Sequence, residues 1–261
     1  MKVGFIGCGN MGAALAGAAA QAEGVELYLS DFDINKRDSL AEKLGAVGAD
    51  NATVASACDI VFLAVKPPIV ESVCLEIGGL ISPETIVVSM AAGIKLEKLS
   101  GFLPNARIIR IMPNTPVLIG EGVITWAKNE KITKNDEEIF TRVLACAGIV
   151  DEIDEKLIDA ATAVSGCGPA FVYLFAEAIA DAGVQCGLSR DKALRYAAAT
   201  LRGAADMIVE TGKHPGQLKD EVCSPGGSTI VGVRALEEGG FRAIAGNAVV
   251  SAYEKTKRLG D

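Results

Sequence analysis

The sequence predicts an α/β protein in two parts: a doubly wound, largely parallel sheet over residues 1–155, then an all-helical domain over residues 156–261. Three observations carry this reading. Short β-branched runs alternate with helical stretches through the first half, the strand signal stops near residue 156, and a glycine-rich turn separates the first strand from the first helix. A chain of 261 residues that is 50% hydrophobic and 22% charged, with 29 glycines, is neither disordered, collagen-like nor a small disulfide scaffold. It is long enough for two ordinary cores.

In order, Lys2–Ile6, Val25–Ser30, Ile60–Val65, Thr85–Ser89 and Arg107–Met112 read as strands buried on both faces, because each is a short run of β-branched and apolar residues without alternation. Helical patterns fill the gaps at Ala13–Ala22, Lys36–Leu44, Pro68–Gly78 and, briefly, near Leu96–Leu99. Strand, helix, strand at this spacing means parallel units with right-handed crossovers. Gly122–Trp126, the helical stretch Asn135–Ala147 and Ile149–Ile153 extend the sheet. The domain boundary falls near residues 154 to 158.

Beyond it only helices are expected. Phe171, Leu174, Phe175, Ala178 and Ala182 share one helical face, yet Val172, Ala176, Ile179 and Ala180 make the opposite face apolar too, with only Glu177 and Asp181 charged. A helix apolar all round must be covered on all sides. In a domain of this size the expectation is that a second subunit covers it; the alternative is the central helix of a monomeric bundle. Ser189–Thr211, Ser228–Glu238 and Phe241–Leu259 follow as helices, with Gly212, Gly239 and Gly240 as stops.

Twenty-five basic against thirty-three acidic residues give a net charge of -8, which disfavours nucleic acid and anionic membranes as partners. Seven widely spaced cysteines (8, 58, 74, 146, 167, 186, 223) with no C-x-x-C pair read as free thiols in a reducing cytoplasm. Glycines 4, 7, 9 and 12 interrupt the apolar N-terminus, so no secretory signal is expected there. No stretch is read as a transmembrane helix. A cytoplasmic protein is the expectation.

Gly7-Cys8-Gly9-Asn10-Met11-Gly12 follows the first strand and opens a helix, the context in which G-x-G-x-x-G has physical meaning: a tight turn, close approach of a pyrophosphate, and close helix packing. Asp31, at the end of the second strand, would accept from an adenosine ribose. It favours NADH, while Lys36 and Arg37 nearby offer charges that would neutralise a 2′-phosphate, so NADH and NADPH both remain open. Ala64-Val65-Lys66-Pro67 and Met90-Ala91-Ala92-Gly93 end the third and fourth of these strands, on the carboxyl edge where such Rossmann-like sheets bind ligands.

Elimination narrows the chemistry. His214 is the single histidine and sits in a turn before a short helix, which removes multi-histidine metal sites and weakens Ser-His-Asp hydrolysis and histidine-dependent dehydrogenation. Lysine is absent between Lys156 and Lys192, so the first long helix of the second domain lacks the proton donor that carbonyl reduction would use there. Reduction of a C=N bond needs less help, since a protonated iminium already accepts hydride. The loop Cys223-Ser224-Pro225-Gly226-Gly227-Ser228-Thr229 feeds directly into a helix, and successive N–H groups there suit a carboxylate. A simple serine helix cap is the rival reading of that loop.

The run from Pro215 to Glu237, with Ala64-Val65-Lys66-Pro67, Met112-Pro113-Asn114-Thr115-Pro116 and Ser165-Gly166-Cys167-Gly168-Pro169-Ala170-Phe171, resembles the pyrroline-5-carboxylate reductase family over essentially the whole chain. The resemblance implies a Rossmann domain, a helical dimerisation domain, homodimers and rings of dimers. It implies reduction of 1-pyrroline-5-carboxylate to L-proline, the last step of proline biosynthesis, with NADPH or NADH. It places the cofactor on Gly7, Cys8, Gly9, Asn10, Met11, Gly12, Asn51, Ala64, Val65, Lys66, Pro67, Ala91 and Ala92, to which the reading of the strand ends adds Ile6 and Asp31. The substrate carboxylate falls to Ser224, Gly226, Gly227, Ser228 and Thr229, with the Thr229 hydroxyl near the ring nitrogen as the catalytic group. Two departures stand out: Asp31 occupies a position that is small and neutral in many members, and Cys167 stands where serine is usual. Rival readings are a reductase of a related cyclic imino acid, a hydroxyacid dehydrogenase of similar build, and a dinucleotide-sensing regulator without turnover.

Overall fold

The computed structural model describes residues 1–258. They form two compact units: Met1–Cys167 together with the end of the chain from Ala252, and Gly168–Ser251. The first unit runs β1 (Lys2–Ile6), α1 (Asn10–Ala19), β2 (Glu26–Ser30), α2 (Ile34–Leu44), β3 (Val47–Gly48), α3 (Asn51–Ala57), β4 (Ile60–Leu63), α4 (Pro67–Ile77), β5 (Ile86–Ser89), α5 (Leu96–Phe102), β6 (Arg107–Met112), β7 (Gly122–Lys128), α6 (Lys134–Val143), β8 (Gly148–Glu152) and α7 (Ile158–Ala161).

The eight strands form one sheet in the order β3-β2-β1-β4-β5-β6-β7-β8, parallel except between β6 and β7. The central strands are Val-, Ile- and Leu-rich and wholly buried, as strands covered on both faces must be. Phe5 and Phe62 stack across β1 and β4 with ring centroids 4.4 Å apart. One core layer joins α1 and α6 to the sheet through Leu15, Ile111 and Phe140; the other joins α3, α4 and α5 through Val54, Val70 and Leu99. β7 is antiparallel because the chain returns to the sheet through a single short 3-10 turn at Thr115–Ile119, too brief for a parallel crossover.

Two elements carry no strong sequence pattern. β3 is only two residues long, and α3 follows it at once, started by Asp50, whose side chain accepts from Thr53 N at 2.7 Å. The hydrogen bonds from Thr53 hold the Asp50 carboxyl below the usual carboxylate range. The last helix ends at Lys257, and the Leu259 end expected for it lies outside the described residues.

A buried cation sits in the middle of this apolar sheet. Arg110 on β6 is 2% exposed and pairs with Glu155 at 3.0 Å and Asp159 at 3.5 Å. Glu155 Oε1 also accepts from Leu96 N at 2.7 Å, which caps the start of α5. The guanidinium thus ties β6, α5 and the first helical turns after β8 into one polar knot.

The second unit is helical: α8 (Gly168–Gln185), α9 (Arg190–Thr211), α10 (Pro215–Val222), α11 (Ser228–Glu238) and most of α12 (Phe241–Lys257). α8 and α9 pack on each other through Ala180, Ala193 and Ala197, with Val184 beside them. Large apolar side chains on α8, α9, α11 and α12, among them Leu174, Tyr173, Val209, Val231 and Ile244, are exposed in the single chain. Helical turns run from Glu155 to Gln185 with a bend at Cys167, a stretch long and apolar enough to cross a membrane by length and composition alone. The glycines and Pro169 do not end it, since Pro169 stands in the first turn of α8, where its missing N–H costs nothing.

Removing Glu155 leaves the buried Arg110 guanidinium with Asp159 alone, at 3.5 Å. Glu155→Ala is expected to cost about 3 kcal/mol of stability, more than replacing Arg110 by Met together with Glu155 by Leu. Denaturant melts of the three proteins at one protein concentration check this; equal stabilities would show that the pair holds nothing.

Candidate active site

All strands that precede α1 to α5 run parallel, so their carboxyl ends share one edge of the sheet. The chain moves out one way from β1 to β2 and the other way to β4, which puts the topological switch point between β1 and β4. Ile6, Gly7–Gly12, Asp31, Ala64–Pro67 and Ala91–Ala92 all lie along that edge.

The glycine turn fits a pyrophosphate for reasons visible atom by atom. Gly7 has φ +108° and donates its N–H to Ser30 O at 2.7 Å; a Cβ there would come within 2.5 Å of Ala64 O. A Cβ at Gly12 would lie 2.2 Å from Gly7 O and 2.9 Å from the Ala64 side chain, so α1 can seat on the sheet only with glycine. Gly9 is different: it is the N-cap of α1, offers no side-chain cap, and has nothing within 4 Å of where its Cβ would be. Backbone donors at the start of a helix, facing open space, form an anion site. The residues present therefore suit a dinucleotide.

Around this turn the polar groups are already organised. Asp31 Oδ2 accepts from Cys8 N at 2.5 Å and Oδ1 from Asp33 N at 2.9 Å. Burial pushes the Cys8 thiol up to about 11, so this side chain fills space beside Ser30 as a neutral thiol. Asn51, at the start of α3, accepts from Ser30 Oγ at 2.7 Å and donates to Glu76 at 2.9 Å. Lys66 is the N-cap of α4, followed by Pro67 in its first turn. Ala91 is buried and Ala92 half-buried, ahead of Gly93 at φ +78°. An open cleft of about 260 Å³ is lined by Cys8, Gly9, Asn10, Ala13, Lys36, Ser39, Leu40 and Lys43. Ser39 and Lys43 were not anticipated from sequence, although their spacing of one and two turns after the start of α2, in line with Lys36, is the signal that would have found them.

Asn114, inside the Met-Pro-Asn-Thr-Pro run, is buried: Nδ2 donates to Ser165 O at 2.9 Å and Oδ1 accepts from Val123 N at 2.8 Å. It joins the start of β7 to the helical turns before Cys167. His214 is exposed and caps α10, its Nδ1 accepting from Gly216 N at 3.1 Å.

In the helical unit, Ser224-Pro225-Gly226-Gly227 forms a type II turn, with Gly226 at φ +71° and Gly227 N bonded to Ser224 O at 3.0 Å. Proline at the second position and glycine at the third are what this turn requires. Gly227 is then the N-cap of α11, and no side chain caps the helix. The reading of Ser224 or Ser228 as a simple cap is therefore not what the chain does. A Cβ on Gly227 would stand 2.6 Å from Ser224 Oγ, whereas Gly226 has open space around it. Ser224, Ser228 and Thr229 are exposed.

Comparison with known proteins gives matches along the chain. Residues 155–259 match the family model described as pyrroline-5-carboxylate reductase dimerisation, and residues 2–93 match that of the coenzyme F420-dependent NADP oxidoreductases. The chain is 42% identical to the pyrroline-5-carboxylate reductase of Escherichia coli (strain K12), over 99% of this chain and 98% of that protein. It is 41% identical to that of Pisum sativum, over 98% and 95% of the two chains. Among solved structures, pyrroline carboxylate reductase of Plasmodium falciparum with NADP bound is similar at a TM-score of 0.90 and 37% identity, covering 100% of this chain and 98% of that one.

The two glycines of the α1 turn should fail differently. Gly9→Val is expected to fold with a melting temperature near that of the parent yet lose cofactor affinity by at least about a hundredfold, while Gly12→Val loses about 3 kcal/mol or more of stability. Thermal melts beside a cofactor titration separate the two; a Gly9→Val protein that binds normally would remove the pyrophosphate from this turn.

Proposed function

The chain belongs to the pyrroline-5-carboxylate reductase family, and we propose that it reduces 1-pyrroline-5-carboxylate to L-proline with NAD(P)H, the last step of proline biosynthesis. The observation that carries this is the start of α11: a type II turn delivers an uncapped helix N-terminus whose free N–H groups suit a carboxylate. The substrate has one such carboxylate, on the ring carbon bonded to the imine nitrogen.

The residues of the glycine turn, with Ala64–Pro67, Asn51, Ala91 and Ala92, hold the dinucleotide, which when bound supplies the hydride. Gly226 and Gly227 leave the backbone of the substrate loop open to the carboxylate, and Ser224 and Ser228 add polar groups beside it. The Thr229 hydroxyl, in the first turn of α11, orients the ring nitrogen, which is protonated before reduction and keeps its proton in the product amine. No strong acid or base is needed, so fixing the carboxylate does most of the work: orientation of bound reactants contributes on the order of 7–11 kcal/mol to such barriers.

The exposed apolar side chains of α8 to α12 are the faces through which two copies pair, and dimers assemble further into rings. Free cysteines and an acidic surface suit a cytoplasmic enzyme.

Mixing the purified protein with 1-pyrroline-5-carboxylate and following loss of reduced-nicotinamide absorbance tests the assignment; bound cofactor without turnover would overturn it. Thr229→Ala is expected to lower kcat about tenfold with little change in cofactor affinity. Gly227→Val, which clashes with Ser224, is expected chiefly to raise KM for the imine by about tenfold or more. A normal KM in that variant would place the carboxylate elsewhere.

A further inference from the structure

The adenosine end of the dinucleotide site supports a sharper reading, which rests on the cofactor assignment above. In a sheet of this kind the turn after β2 receives whatever group stands at the 2′ position of the adenosine ribose. Here two carboxylates build that turn. Asp31 is fixed at the end of β2 by the N–H groups of Cys8 at 2.5 Å and Asp33 at 2.9 Å, and each of its oxygens keeps a lone pair for a ribose hydroxyl. Asp33 caps α2, taking the N–H of Lys36 at 3.2 Å. The helix N-terminus that would attract a 2′-phosphate therefore already holds an anion of its own.

The basic neighbours do not reverse this. Arg37 is already engaged: its Nε donates to Asp38 at 2.7 Å and its Nη1 to the Ala49 carbonyl at 3.2 Å. Lys36 and Lys43 line the cleft with Gly9 and Asn10, and the Lys36 N–H is already taken by the Asp33 carboxylate that heads the same turn.

We infer that this chain selects the dinucleotide with a free 2′-hydroxyl, NADH, over its 2′-phosphorylated counterpart, with Asp31 and Asp33 as the residues that set the choice. A 2′-phosphate would meet two like charges in a turn whose guanidinium is committed elsewhere, and like charges this close repel strongly even near a protein surface.

The test is binding without imine, so that it stands apart from turnover. Titration of the full-length protein with NADH and with NADPH at physiological ionic strength, by calorimetry, is expected to give a dissociation constant at least about tenfold lower for NADH. In the Asp31→Ser, Asp33→Ser double variant, where serine can still cap α2, the ratio is expected to fall by about tenfold or invert through tighter NADPH binding. Arg37→Met should leave the ratio of the parent protein unchanged. Equal or tighter binding of NADPH by the parent, or selective loss of NADPH binding in Arg37→Met, would overturn the inference. Binding of neither dinucleotide would overturn it together with the proposed function, whereas tight NADH binding with no reduction of the imine would uphold it and overturn the function alone.

Discussion

Everything at the nucleotide edge depends on one close approach of backbone to backbone. The carbonyl of Gly7, the first turn of α1 at Gly12 and the carbonyl of Ala64 after β4 stand so near one another that a single methyl at 7 or 12 would overlap main-chain atoms. Main chain cannot move aside as a flexible side chain can, so the packing of α1, the direction of its free N–H groups and the end of β4 are fixed together. The open space over Gly9 exists because its neighbours are held this tightly. Rigidity and vacancy are two aspects of one arrangement.

Both candidate anion sites use the same means in a protein with a net charge of -8. At the start of α1 and at the start of α11 a glycine is the N-cap, and no side chain claims the first N–H groups. Peptide dipoles carry no titratable proton and do not alter the overall charge. An acidic surface and anionic ligands are thus compatible. The contrast is α2, where Asp33 fills the cap position from within the chain.

The glycine turn and the carboxyl edge were legible in the sequence because their causes are local: residues 7, 9 and 12 follow a strand and open a helix within a few positions. The Ser224–Gly227 loop was legible as a turn leading into a helix for the same reason, although its type II geometry and the N-cap role of Gly227 needed coordinates. What the sequence hid were features set by distant partners. Val47–Gly48 is a strand only because β2 lies beside it, with Tyr28 and Leu29 in register. Arg110, in a run that reads as plain strand, is buried because Glu155 and Asp159 meet it from far along the chain. Periodicity likewise cannot show that Arg37 is spent on Asp38 and Ala49, since that depends on side-chain direction.

The alanine-lined contact between α8 and α9 has a consequence for how the chain comes to be folded. The sheet unit buries two full layers of large side chains on its own account, drawn from residues ahead of the long helices. Among the described residues, the cluster that joins the helices that follow is built on Ala180, Ala193 and Ala197. Alanine contributes little hydrophobic free energy, so on the pairing proposed above these helices gain their stability from a second chain. The order of the helical half is then a property of concentration: a newly made chain completes its fold at a rate set by how soon it meets another copy of itself.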